Sequence, residues 1–152
     1  MSFQEQERVL FDLLFDDQIR QRFCDDNDAV LCSYDLSDEE KQDFRVIRCD
    51  ALQLDAKMRR DILLSHLCRS FPVSFGILSS MDEGFGVLKT LIDPVTMRTP
   101  PLQRAVVFGQ RLREALTVFS FDVATQAPLI IAIVEAELGM TLKSCFSSSL
   151  RS

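Results

Sequence analysis

The chain has 152 residues, 47% of them apolar, with 12 Phe and no Trp, which is enough to bury a core and too apolar for a disordered segment. A formal net charge of −6 argues against a general affinity for phosphate backbones. The charge is uneven: residues 1–61 hold 16 acidic and 9 basic groups, net −7, whereas residues 62–152 hold 7 and 8, net +1. Recognition of acidic groups would therefore belong to the second part, around Arg98, Arg104, Arg111 and Arg113.

In chain order the pattern is helical almost throughout. Phe3, Leu10, Phe11, Leu14 and Phe15 can share the apolar side of a first helix ending near Asp16-Asp17. Asp16 or Asp17 can cap a short second helix carrying Ile19 and Phe23, and Asp28 a third with Val30 and Leu31. Ser37-Asp38-Glu39-Glu40 reads as a capping box, with three carboxylates at the positive end of its helix. A longer helix follows from about Asp50, with Leu54, Met58 and Ile62 recurring every fourth residue and Leu63, Leu67 and Phe71 continuing the stripe. Pro72 should end it and start the next helix, since its missing N–H is harmless in a first turn. Asp82-Glu83-Gly84 forms a turn before Phe85, Val87, Leu88, Leu91 and Ile92, and Pro94 closes that helix. Thr99-Pro100-Pro101 opens another, with Leu102, Val106, Gly109 and Arg113 on one face and Phe108, Leu112, Ala115 and Phe119 on another. Pro128 begins the last helix, where Leu129 to Val134 is apolar on nearly every side, so it is either a central core helix or one that faces a partner. The expected fold class is all-α, with about eight helices, several of them short, arranged as a helical domain over residues 1–146 and a flexible tail over 147–152.

Cys24, Cys32, Cys49, Cys68 and Cys145 are odd in number, form no Cys-x-x-Cys and match no zinc framework. The start, MSFQEQERVL, lacks the basic and then apolar regions of a signal peptide, and the apolar run Leu129–Val134 is too short to cross a bilayer. These features predict a reduced, soluble, cytoplasmic protein in which most of the cysteines are buried thiols filling helix interfaces.

Two stretches stand apart, LCRSFPVSF at 67–75 and MRTPPLQRAVVFGQRLR at 97–113. Each sets arginine, aromatic and proline side by side at a helix break, a combination suited to protein or peptide recognition. The candidate partner or peptide contacts are Arg69, Phe71, Phe75, Met97, Arg98, Phe108, Arg111 and Arg113. For Arg98 two roles stand level: contact with a partner, or a tie within its own loop.

No catalytic apparatus assembles beside them. His66 is the only histidine, so a multi-histidine zinc or iron site within the chain is excluded. His66 and Cys68 are two apart on a helix and point in different directions, which weakens a Cys–His dyad. Asp25-Asp26-Asn27-Asp28 lacks the glycine and terminal bidentate Glu of a calcium loop, and Gly84-Phe85-Gly86 is too short for a phosphate-binding loop. No catalytic, cofactor-binding or metal-binding residue is assigned.

The segment LLFDDQIRQRFCDDNDAVLCSYDLSDEEKQDF resembles a helical pattern found in several small modules, including small subunits of extradiol dioxygenases. Joined to LCRSFPVSF, MRTPP and VFGQRLR, over roughly residues 8–143, the chain resembles the partner proteins of methanobactin biosynthesis, the MbnC type. The resemblance implies a heterodimer with a multinuclear non-haem iron oxidase that holds the iron. That enzyme converts cysteines of a ribosomally made precursor peptide into oxazolone and thioamide groups, which bind copper in the finished product. The present chain would stabilise the oxidase and help hold the leader of the precursor peptide. Family members carry additional sequence after the last helix; with Ser152 as the last residue, a small C-terminal strand region is expected to be absent or reduced. The alternatives are a small helical subunit of another oxygenase and, less favoured given the acidity, a DNA-binding regulator using Arg104–Arg113.

Overall fold

The computed structural model describes residues 3–118 and 126–149. Among them are ten helices, eight of seven residues or more, and no strand, so the chain is all-α as expected. They are α1 (Phe3–Phe15), α2 (Asp17–Asp25), α3 (Asn27–Leu31), α4 (Asp38–Arg45), α5 (Cys49–Ser70), α6 (Pro72–Ser79), α7 (Gly84–Thr90), α8 (Pro94–Arg98), α9 (Pro101–Val118) and α10 (Gln126–Ser149). No helix of the described residues is long and apolar enough to cross a membrane. The chain divides into two compact units, Met1–Asp61 and Ile62–Ser152, the same place at which its charge changes character.

The first unit is built on helix caps. Asp16 accepts from Gln18 N at 2.9 Å and Ile19 N at 3.0 Å, which starts α2. Asp26, rather than Asp28, caps α3 through Ala29 N at 3.1 Å; Asp28 lies within the first turn and pairs with Arg45. The Ser37–Glu40 capping box forms in both directions, and Gln6 of α1 donates to Glu40 at 2.6 Å, tying α1 to α4. Of the expected stripe of α1, Leu14 is buried and Phe11 and Phe15 are half-buried, but Phe3 and Leu10 are exposed, and Val9 and Leu13 complete the buried face. Asp12 explains the choice: the Tyr34 hydroxyl donates to its carboxylate at 2.9 Å, so the Asp12 side of α1 turns inward. Burial, and then the bond to Asp12, push the Tyr34 phenol up to about 12.

Two further features depart from the sequence reading. Cys24 and Cys49 are joined in a disulfide with a Cα separation of 5.7 Å, correcting the expectation that these sulfurs are thiols; Cys32, Cys68 and Cys145 remain thiols. On α5, Leu63 and Leu67 enter the second core as expected, with Leu64 beside them, but Leu54, Met58 and Ile62 are exposed and Leu52 and Ala56 enter the first core in their place. In its first half the helix carries two apolar lines offset by two residues, about 200° of arc, and folding buried Leu52 and Ala56 rather than Leu54 and Met58.

In the second unit, Leu63, Leu67, Phe71, Phe75, Leu78, Leu88, Phe108, Leu112, Leu116, Ile130 and Val134 form the centre of one core. Pro72 ends α5 and occupies the first turn of α6 as expected. Pro94 opens α8 behind an Asp93 cap instead of closing α7, because the Thr96 N–H finds Asp93 at 3.0 Å. Helices α9 and α10 run antiparallel: Cys145 Sγ lies 3.3 Å from Leu102 O, Gly109 lies against Leu138, and Arg113 reaches Glu135 at 3.9 Å. The last helix continues to Ser149, past Cys145 where the sequence suggested fraying. Phe119, expected on a face of α9, lies outside the described residues.

Glu83 sits at φ 62°, the one non-glycine residue of the described chain in the left-handed region. Glu83→Gly relieves that cost, and because the residue is exposed its removal loses little else. The variant is expected to gain up to about 1 kcal/mol in a urea melt, where most substitutions to glycine destabilise.

Candidate functional site

The two arginine–proline joins are resolved by following where each backbone donor goes. At the first, α6 begins at Phe71-Pro72 with no side-chain cap of its own. The carboxylate of Glu137, 3% exposed on α10, supplies it. Val73 N donates to Oε1 at 2.8 Å and Ser74 N to Oε2 at 3.1 Å, and the Ser74 hydroxyl also donates to Oε2. The negative group meets the positive end of the helix and takes two of its unpaired N–H groups. Phe71 and Phe108 are fully buried, with ring centroids 5.9 Å apart, and Phe75 packs 5.8 Å from Phe108. These three rings, expected at a partner surface, are therefore core residues, and the aromatic content of LCRSFPVSF serves packing.

At the second join, Asp93 and Arg111 form a bidentate pair, 2.6 Å from Nη1 to Oδ1 and 2.5 Å from Nη2 to Oδ2. Arg111 Nη1 also donates to Thr96 Oγ1 at 2.6 Å, and that hydroxyl donates to Leu91 O at 2.6 Å. Arg104 Nη2 donates to the carbonyls of Met97 and Thr99, each at 3.2 Å. Arg111 thus fastens α9 to the α7–α8 connection, an internal tie where the sequence suggested a partner contact. Burial alone would raise the Asp93 carboxyl, but the Arg111 guanidinium and the Thr96 N–H outweigh it and hold it below the ordinary carboxylate value. A depressed folded-state pKa contributes stability that is complete above the unfolded value, near 4, and is lost as pH falls through the folded one. Asp93→Asn is therefore expected to lower the melting midpoint at pH 7 and to flatten its decline below about pH 4, as followed by circular dichroism.

The remaining candidates lie outward or at the margin. Arg69 and Arg98 are exposed, Arg113 is exposed beside Glu135, and Met97 is half-buried against the core. Arg98 leads into Thr99-Pro100-Pro101 and the start of α9. There Leu102 is 76% exposed, and Phe146 is 70% exposed next to Cys145, whose sulfur bonds the Leu102 carbonyl. The join thus contributes a cationic and apolar end to the α9–α10 pair.

The larger surface lies on α10, whose run Leu129–Val134 the sequence marked as either core or partner-facing; Ala136 and Met140, which extend it, were not singled out. α10 turns Ile130, Val134, Glu137, Leu138 and Thr141 inward. A second apolar line runs along its flank: Leu129 at 62% exposure, half-buried Ile133, exposed Ala136 and Met140 at 61%. Their spacing of four, three and four residues keeps them within roughly 60° of arc, the geometry of a seam that receives another helix. The small side chains of Ala132 and Ala136 leave room for close approach. The signal was present in the unbroken apolar run from Leu129, which is broader than one core face needs.

The first unit holds a groove of about 290 Å³ between α2 and α3, with Ile19, Val30 and Tyr34 on its apolar side and Arg22, Asp25 and Asp26 on its polar side. It stands at the small end of the range for ligand pockets. His66 is exposed, and among the described residues no group of three His, Cys, Asp or Glu side chains is placed to hold a metal ion. Comparison of the chain with protein-family models, with curated proteins and with solved structures gives no match.

Proposed function

We propose that the chain is a non-catalytic partner subunit, a helical module that binds another protein through α10 and the Arg98–Leu102–Phe146 end of the α9–α10 pair. The observation that carries this reading is the uncovered seam Leu129–Ile133–Ala136–Met140, an apolar line on a helix whose other face already fills the core. Closing it against a partner helix removes apolar surface from water at ~25 cal/mol per Å² before the costs of association. The partner suggested by the sequence resemblance is a multinuclear non-haem iron oxidase acting on cysteines of a ribosomally made precursor peptide. In that setting the chain steadies the oxidase and helps hold the leader peptide, while the iron stays with the oxidase. The lone His66 agrees with that division of labour.

Co-expression with an oxidase of that class, followed by size-exclusion chromatography with light scattering, tests the reading. A stable one-to-one complex is expected. Ala136→Glu and Met140→Glu, each at an exposed position, are expected to weaken it at least tenfold, because a charge would be buried in the seam, while the melting midpoint of the chain alone is unchanged. Separate elution of the two proteins, or a complex indifferent to both substitutions, would overturn the assignment of partner or of surface respectively.

A further inference from the structure

The cysteine pair of the first unit belongs neither to the seam nor to the arginine joins. α2 is held to α5 at two points that lie at opposite ends of the shorter helix. At its start, Asp17 takes Arg60 Nη2 at 2.7 Å and also pairs with Arg20. At its end, Cys24 is joined to Cys49, the first residue of α5, across 25 residues of sequence. We propose that Cys24 and Cys49 form a reversible thiol–disulfide clasp, which sets how firmly α2 is held against α5 in response to the low-molecular-weight thiols and disulfides around the protein.

Three observations support a switch over a permanent cross-link. The fold places the two Cα atoms 5.7 Å apart, within the usual Cα separation of a disulfide. Both cysteines are only partly buried, so a small thiol or disulfide can reach them. The core of this unit is also built without the sulfurs: Val9, Leu13, Phe23, Leu31, Phe44, Leu52 and Ala56 pack together and neither cysteine is among them. Reduction therefore loosens one end of α2 without dissolving the fold, and the Asp17–Arg60 pair keeps the other end in place. The three remaining cysteines persist as thiols, so one pair alone in this chain is positioned to change state.

The step balances as two thiol–disulfide exchanges. The thiolate of one cysteine attacks a small disulfide such as oxidised glutathione, forming a mixed disulfide and expelling a thiolate that takes up the proton lost by the protein. The second cysteine then attacks the protein sulfur of that mixed disulfide, closes the Cys24–Cys49 bond and expels the second small thiol. Two protein thiols are oxidised and one small disulfide is reduced to two thiols.

The test uses the full chain, equilibrated with oxidised glutathione or with dithiothreitol. Thiol titration in denaturant is expected to find three thiols per chain after oxidation and five after reduction, matching the pair and the three thiols of the structure. The first melting transition is expected to rise by roughly 10–20 °C on oxidation and to fall back on reduction, from the loop-closure effect in a unit of this size. Cys24→Ser and Cys49→Ser should each abolish the response, and Cys32→Ser should keep it. Five thiols after oxidation, a glutathione adduct that persists in place of the internal bond, or identical melts of the two forms would each overturn the proposal.

Discussion

Glu137→Ala is expected to lower the stability of the second unit by about 2–4 kcal/mol, the loss associated with leaving buried polar groups without partners. The substitution leaves Val73 N, Ser74 N and the Ser74 hydroxyl facing an empty space inside the protein, with Ser74 fully buried. It also removes the anion from the start of α6, which has no side-chain cap of its own. Glu137→Gln keeps the shape and one acceptor but turns an amide N–H₂ toward groups that are themselves donors, so a loss about half as large is expected. Denaturant melts of the three proteins would rank wild type above Gln above Ala. If Gln and Ala were equivalent to wild type, the carboxylate would not be the cap that secures α6.

The second large effect concerns Gly84, at the start of α7. A Cβ built there would collide with the carbonyl oxygen of Leu78 and stand 3.0 Å from its carbonyl carbon, and a backbone group cannot swing aside as a side chain can. Gly84→Ala must push α7 off the end of α6, with an expected cost of about 2–3 kcal/mol, within the range of overpacking a tight site. Gly86, two residues along the same helix, has nothing within 4 Å of such a Cβ, so Gly86→Ala is expected to stabilise by about 0.5–1 kcal/mol through helix propensity. Opposite signs at neighbouring glycines, read from paired urea melts, would locate the close approach at Gly84; equal signs would show that α6 and α7 are not in contact there.

How much of this was legible in the sequence depends on whether a feature is local. The Ser37–Glu40 capping box, the Asp16 cap and the Pro72 helix boundary follow from a few adjacent residues, and each formed as expected. Choices between two apolar faces were not local. Leu54 and Met58 are spaced as Leu52 and Ala56 are, and only the neighbours present in the folded unit decide which line is buried. The cap of α6 was hidden for the same reason: its donor groups and its acceptor are 63 and 64 residues apart. The arginine–aromatic–proline joins drew attention correctly to places where several elements meet. In Arg111 and Phe71 the purpose was internal, and a guanidinium that ties its own loop has the same composition as one that greets a partner. Along α10 the opposite held, and ordinary Leu, Ile, Ala and Met residues make up the open face.

The long reach of Glu137 also has a meaning for how the protein is made. A ribosome adding roughly 5–20 residues per second delivers Glu137 about 3–13 s after Ser74. Throughout that interval the nascent α6 has emerged ahead of the side chain that completes its first turn, and Phe71, Phe75 and Leu78 await the helix that will cover them. The second unit therefore completes the cap of α6 only once α10 has been made, and a later helix secures one begun seconds before. A chain stalled in translation after α9 leaves this apolar surface waiting, and the arrival of α10 brings Ile130, Val134 and Leu138 to cover it.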